Sequence, residues 1–168
     1  IVDKRMTKAI ASHSRIGKVV SHALWITEEY KQLVYLHSNG IAVPKPIKQI
    51  GRAIVMELIG DHEMPAPRLS ELRLNEEEKN MAFDQSVYNL AQMLKAGRAH
   101  GDYSTYNILW WDQKAFVIDF PQMVSIENNS NFYFLIQQDI LSLCKSFKKL
   151  GVSRDTKTIE EEIMRMAQ

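Results

Sequence analysis

The sequence predicts an α+β fold in which helices dominate and strands come as antiparallel pairs. Three observations carry this. Several segments repeat apolar residues at three-and-four spacing, the period of a helix with one buried face. Two pairs of short apolar runs are each split by a two-residue turn, Gly51-Arg52 and Asp112-Gln113. The resulting order is helix, two strands, helix, two strands, helix, helix.

Taken in order, residues 1–15 are polar and basic (Lys4, Arg5, Lys8, Arg15) and read as a solvated arm or a fraying helix start. From Ile16 the apolar positions Val19, Val20, Ala23, Leu24, Tyr30, Leu33, Val34 and Leu36 mark the first helix, stopped by Asn39-Gly40. VPKPI (43–47) cannot be helical inside, because each proline holds its predecessor in extended geometry. The run 47–60 reads as two strands, and the second, AIVMELI, is apolar enough to be expected in the interior. GDHEMPAPRLSEL follows as a loop.

Asn75 is placed to cap the next helix, with Glu76, Glu77 and Glu78 in its positive first turn, Phe83, Val87, Leu90 and Leu94 on its buried face, and Gly97 at its end. NILWW (107–111) and KAFVIDF (114–120) form a second hairpin. Residues 132–150 form a third helix whose apolar face is read as Phe134, Leu135, Ile140, Leu141, Cys144, Phe147 and Leu150. A capping box from Thr158 to Glu161 starts a short last helix. The aromatic groups Trp110, Trp111, Phe116, Phe132, Tyr133 and Phe134 read as core, and Lys145, Lys148 and Lys149 as a charge match to a helix C-terminus.

At 168 residues the chain suits one domain or one lobe of a larger one, and a domain of this size buries roughly 68–70% of its unfolded surface. A formal charge of +1 gives no global field towards nucleic acid or an anionic membrane, so direct nucleic-acid binding is not expected. The single cysteine, Cys144, excludes an intrachain disulfide and reads as a small core residue; a reducing, cytoplasmic location is expected. No apolar run approaches the ~20 residues that span a bilayer, and no signal-peptide core is present, so no membrane partner is expected. Residue 1 is not methionine, which suggests a start inside a longer protein.

The densest chemistry lies in HGDYSTYNILWWDQKAFVIDF (100–120). Magnesium takes hard oxygen ligands, through one or two carboxylates plus substrate phosphates. Asp102 and Asn107 stand in a D-x-x-x-x-N pattern, and Asp119 follows after a hairpin. This is the spacing used in phosphoryl transfer, where one aspartate faces an acceptor hydroxyl while the asparagine and a second aspartate share the metal. Alone, the pattern also fits a polar loop with Asp102 in a turn and Asp119 bonded to backbone. A carboxylate in the apolar run AFVIDF weighs towards a site. His100 is read as structural, packed under the loop and bonded to a carbonyl. His13, His22, His37 and His62 show no metal-ligand spacing, so zinc is not expected.

The chain resembles the RIO atypical protein kinases over nearly its whole length. HGDYSTYNIL is similar to that family's catalytic loop and VIDFPQMV to its metal loop; VPKPI, VMELIG, APRL and the WITEEYKQL helix match in order and spacing, most closely the first RIO subfamily and its bacterial relatives. The resemblance implies a protein-kinase-like (RIO) fold, mainly the helix-rich C-terminal lobe plus the last part of the N-lobe, with residues 1–60 as the N-lobe remainder and 61–168 as the C-lobe. It implies ATP and Mg2+ (or Mn2+) as cofactors, Asp102 as catalytic aspartate, Asn107 and Asp119 as metal ligands, and Ser104 as a support of the loop. Met56 would lie near the adenine, with backbone groups of Glu57 and Ile59 bonding the base and Glu29 pairing a phosphate-contacting lysine. The implied activity is Ser/Thr phosphorylation or a switch-like ATPase in which Asp119 is transiently phosphorylated. A ribosome-assembly link follows from resemblance only, and the protein substrate is not readable. A Gly-rich loop and a V-A-x-K strand are not seen before residue 40, and Lys4 and Lys8 lie in the polar arm, so those parts are expected upstream. Two other classes share part of the pattern: aminoglycoside-type small-molecule phosphotransferases, which use H-G-D-x-x-x-x-N, and a catalytically degenerate kinase-fold scaffold.

Overall fold

The computed structural model describes residues 15–168, with side chains from Trp25 onward apart from Asn128. The basic arm up to residue 14 and the expected apolar positions Val19, Val20, Ala23 and Leu24 therefore lie outside the described residues or side chains. Helix α1 (Arg15–Ser38) leads into the ribbon β1 (Pro46–Ile50) and β2 (Ala53–Met56), and α2 (Glu76–Lys95) follows a long connection. Then come β3 (Arg98–Ala99), β4 (Ile108–Trp111), β5 (Lys114–Val117) and β6 (Val124–Ser125), and finally α3 (Phe132–Lys149) and α4 (Thr156–Met166). The sheets are two-stranded antiparallel ribbons: β1 with β2, β4 with β5, and β3 with β6. The α+β order read from the sequence holds, with one addition. The β3–β6 pair is two residues per strand, too short to show a period.

Local chemistry explains the boundaries. After α1, Gly40 adopts φ 74, its N–H reaches His37 O and the next N–H, of Ile41, reaches Leu36 O; the helix closes in a Schellman turn with Leu36 and Ile41 both buried. Asn75 caps α2 by accepting from Glu78 N at 2.9 Å, while Glu78 accepts from Asn75 N at 3.1 Å. Asp112 and Gln113 both take positive φ (48 and 59), the mirror-image turn that suits a tight hairpin, and Gln85 of α2 clamps it from outside through Gln113 O and Ala115 N. The last helix starts earlier than the expected Thr158–Glu161 box. Asp155 is the cap, its carboxylate taking both the N–H and hydroxyl of Thr158.

The core lies between α2, α3, α4 and the β4–β5 ribbon, with Phe83 and Phe147 edge-to-face at 5.1 Å. Three expectations about burial need correction. The expected inner face of α3 included Phe134 and Leu141, yet these are 59% and 49% exposed; the expected Ile140, Cys144 and Phe147 are buried, and Phe132, Ile136 and Leu143 join them. Tyr133, read as core, is exposed too. AIVMELI is only partly interior: Ile59 is buried, but Met56 and Leu58 are exposed, because β2 pairs with β1 alone and its residues border an open cleft. The connection 60–72 is more ordered than a plain loop, with a bridge from Gly60 to Pro65, a 3-10 turn at Leu69–Glu71 and a bridge from Arg68 to Leu109 that backs β4.

Candidate active site

The β3–β6 pair closes the base of a segment, residues 100–123, that holds most of the polar residues singled out above. Its first loop is built on one buried carboxylate. Asp139 of α3, 1% exposed, accepts from His100 N at 2.8 Å, Gly101 N at 3.1 Å and Tyr103 N at 3.1 Å. These N–H groups sit outside regular structure, so without Asp139 they would be buried donors lacking partners. Burial raises the Asp139 pKa above the ordinary carboxylate value, against the pull of its N–H donors and nearby His100. Gly101 has φ 83, and a Cβ there would lie 2.7 Å from Gln122 O, so glycine lets the two loops touch. Tyr103 is fully buried and donates to Ser86 O of α2 at 2.8 Å, and Thr105 N reaches Ser146 Oγ of α3 at 3.2 Å.

His100 links the two loops. Its Nδ1 accepts from Asp102 N at 3.3 Å, which sets the tautomer: Nε2 carries the proton and donates to Ile118 O at 3.2 Å. Burial lowers its pKa, favouring the neutral ring that this pairing requires. Tyr103 and Phe120 pack on its faces. The structural part expected for His100, including the bond to a carbonyl, is the one it plays.

Asp102 is exposed on this platform and Asn107 is buried beside it. Asn107 Nδ2 donates to Asp102 O at 2.9 Å and to Asp102 Oδ2 at 3.0 Å, and Asn107 O accepts from Ile118 N at 3.0 Å. One asparagine thus ties the first loop to the residue before Asp119. With Nδ2 engaged, its Oδ1 receives no donor among the described residues. Neither strand reaches as far as expected. Asn107 ends a 3-10 turn, Thr105–Asn107, held by its N–H to Ser104 O, and β5 stops at Val117. Asp119 therefore lies beyond the strand, exposed, with φ 69, a left-handed conformation that Asp tolerates better than most residues. The argument that an apolar strand buries this carboxylate does not hold; the chain turns there and presents it.

Asp119 lines a cleft of about 720 Å3 together with Glu29 of α1, Met56 at the end of β2, and Glu57 and Ile59 just after it. That volume is in the range of small-molecule sites. Burial, and then the neighbouring Asp119 charge, raise the Glu29 pKa above the ordinary carboxylate value. Along the wall, Glu57 N donates to Lys45 O at 2.8 Å and Ile59 O accepts from Ala66 N at 2.8 Å. Glu57 C=O and Ile59 N–H have no protein partner among the described residues, which leaves the wall one acceptor and one donor. Residues from distant parts of the chain thus meet at two adjoining places: the Asp102–Asn107 unit, and the cleft of Glu29, Met56, Glu57, Ile59 and Asp119.

Sequence reasoning missed Asp139. Its signal is present: with Ile136, Ile140 and Leu143 at helical spacing, a carboxylate at 139 falls inside the apolar arc and requires partners. Arg98 was also missed. Its Nε reaches Gln32 of α1 at 3.0 Å, its Nη1 reaches Ser125 of β6 at 3.0 Å, and it stacks on Tyr35, which joins α1 to the base of the site.

A helix-rich lobe with an Asp-x4-Asn loop anchored on the buried face of a helix, beside a cleft walled by a strand and its trailing segment, fits a protein-kinase-like fold. Residues 2–161 match the RIO domain family, and the chain belongs to it. It is 30% identical to the RIO-type serine/threonine-protein kinase of Thermoplasma acidophilum, over 96% of this chain and 81% of that protein. To the enzyme of the same name in Haloferax volcanii it is 32% identical, over 86% of this chain and 48% of the relative. To human serine/threonine-protein kinase RIO3 it is 32% identical over 77% of this chain. The chain aligns with only 25% of RIO3, so several relatives are much longer than the part they share with it. None of the described helices is long and apolar enough to cross a membrane.

Proposed function

We propose that this chain carries ATP-dependent phosphoryl transfer of the RIO type, as a serine/threonine kinase or a switch-like ATPase, with residues 1–60 as the remainder of the upper lobe and 61–168 as the lower lobe. The observation that carries the reading is the Asn107 knot. Asn107 Nδ2 binds Asp102 Oδ2 at 3.0 Å and Asn107 O binds Ile118 N at 3.0 Å, so the acceptor-facing and metal-facing candidates form one hydrogen-bonded unit.

In this reading Asp102, fixed through its backbone N–H by His100, orients the acceptor hydroxyl and takes its proton. Asn107 Oδ1 and the Asp119 carboxylate are the oxygen donors that would hold Mg2+ or Mn2+. Their chemistry suits a hard cation: both are oxygen ligands, and neither has a protein donor among the described residues. Mg-ATP, when bound, supplies the phosphoryl group and the counter-charge for the phosphates. Met56 would pack on the adenine, with Glu57 C=O and Ile59 N–H as its acceptor and donor. Glu29, drawn towards protonation by burial and by Asp119, would regain its ordinary acidity beside a cation, the role proposed for a phosphate-contacting lysine.

The test is turnover of Asp102→Ala and Asp119→Ala in the purified protein, following label transfer from ATP and phosphate release. Each is expected to lose at least about 10²–10⁴-fold in rate while melting like the parent, since both side chains are exposed. Parent turnover in both variants would end the assignment.

A further inference from the structure

The outer face of α3 sets exposed apolar and basic side chains in one row. Phe134, Leu141, Lys145 and Lys148 recur at spacings of seven, four and three, one stripe of the helix, and all are exposed. Beside the basic half a hollow of about 610 Å3 opens against the start of α4, lined by Leu141, Ser142, Lys145, Lys148, Arg154 and Thr156, among others. No carboxylate lines it. The ion pairs among the described residues are Lys31–Glu28, His62–Glu63 and Lys79–Glu76, so Lys145, Lys148 and Arg154 have no anionic partner. Arg154 is held by neutral groups, Asn80 Oδ1 at 2.6 Å, Ser153 O at 3.4 Å and the Phe83 ring 5.8 Å from its guanidinium carbon. The nearby Asp155 carboxylate is engaged with Thr158.

A second hollow, about 210 Å3, lies at the last turn of α3, with Arg73 and Lys149, and Lys79 already paired with Glu76 at 2.8 Å, set among Leu72, Leu74 and Leu150. In a chain of net charge +1, this is a local concentration of cations. The first hollow is edged by the exposed Leu141, the second is lined by Leu72, Leu74 and Leu150, and the stripe ends in an exposed phenylalanine. A bare phosphate backbone would satisfy the lysines and leave these apolar surfaces against water. A chain that carries carboxylates and bulky apolar side chains covers both.

We propose that this face docks an acidic peptide segment bearing large apolar residues. Its carboxylates meet Lys145, Lys148 and Arg154, and its apolar side chains cover Leu141 and Phe134. From Phe134 to Lys148 the stripe runs about 21 Å at 1.5 Å per residue, the reach of roughly six extended residues. The same helix holds the loop of Asp102 through Asp139 on its buried side, so a docked segment is tethered to the element that supports the site.

The experiment is fluorescence anisotropy of the whole chain with a labelled peptide of glutamates interspersed with leucine and phenylalanine. Its glutamine counterpart and a single-stranded oligouridylate serve as comparison probes. The acidic peptide is expected to bind, and the glutamine peptide at least about tenfold more weakly. Lys145→Glu with Lys148→Glu, and separately Phe134→Ser with Leu141→Ser, should each weaken the acidic peptide by about tenfold with unchanged melting. The proposal fails if the acidic peptide does not bind, if neither double variant changes its binding, or if only the lysine pair matters. Tighter binding of the oligouridylate, lost with the lysine pair, would make the face a nucleic-acid interface and overturn the peptide reading.

Discussion

Below the cleft, Asp139 accepts three backbone N–H groups, His100 joins two loops through both ring nitrogens, and Tyr103 is sealed by a bond to Ser86 O. Across the cleft, β2 pairs with β1 alone, and Met56 and Leu58 are 44% and 65% exposed. The floor is held by buried polar groups that have no substitute partner. The wall is a narrow ribbon whose surroundings hold it weakly. Groups that must keep their mutual geometry, Asp102 and Asn107, sit on the first kind of support, and the surface that would receive a flat apolar ring is of the second kind.

That contrast can be broken at its strongest point by Asp139→Ala. Three buried donors lose their acceptor at once, and a loss of about 3 kcal/mol or more in urea unfolding is expected. A parent-like urea midpoint would mean the floor is not held as described. Next in size is Gly101→Ala, which must accept φ 83 and a Cβ 2.7 Å from Gln122 O; a cost of about 1–3 kcal/mol is expected, visible as a lower melting temperature.

His100 sharpens the comparison through pH. Burial depresses its folded pKa, so below the unfolded value of about 6.5 the unfolded chain binds the extra proton. Its contribution is present above that pH and is lost as pH falls through the depressed folded value. Glu29 and Asp139, whose values are raised, act with the opposite sign. The informative quantity is thus the difference between parent and His100→Gln, which should narrow as pH falls from 7 towards 5.5. A difference independent of pH would show that the ring is not kept neutral by its surroundings. The smallest effect is expected on the wall: Met56→Ala and Leu58→Ser should each move stability by no more than about 0.5 kcal/mol, while Met56→Ala weakens nucleotide binding in a calorimetric titration. A destabilisation above about 1 kcal/mol in either would erase the difference between floor and wall.

Much of this architecture was legible in the chain. The helix stop at Asn39-Gly40, the Asn75 cap, the two main hairpins and the face of Phe83, Val87, Leu90 and Leu94 follow from local chemistry that operates within a few residues. Errors arose where the deciding partner was far away. Ile140, Cys144 and Phe147 of α3 face inward as expected, but Phe134 and Leu141 do not, because they are as apolar as their buried neighbours and only the placement of α2 and α4 chooses between them. AIVMELI has the composition of an interior strand, and only its lack of a second neighbour leaves it open. The apolar run AFVIDF points to a strand through Asp119, yet β5 stops at Val117, Ile118 bonds Asn107 and the chain takes φ 69 at Asp119.

By itself the sequence determined the helices and hairpins, the order of the motifs and their kinship with the RIO family, because capping, turn chemistry, periodicity and residue spacing are short-range properties. The tertiary structure alone decided that Asp139, thirty-seven residues from Asp102, supports its loop; that Asn107 ties Asp102 to the approach to Asp119; and that Glu29 shares a cleft with residues 56–59. In each case the residue types are set locally, but which distant residues they meet is decided only when the helices pack.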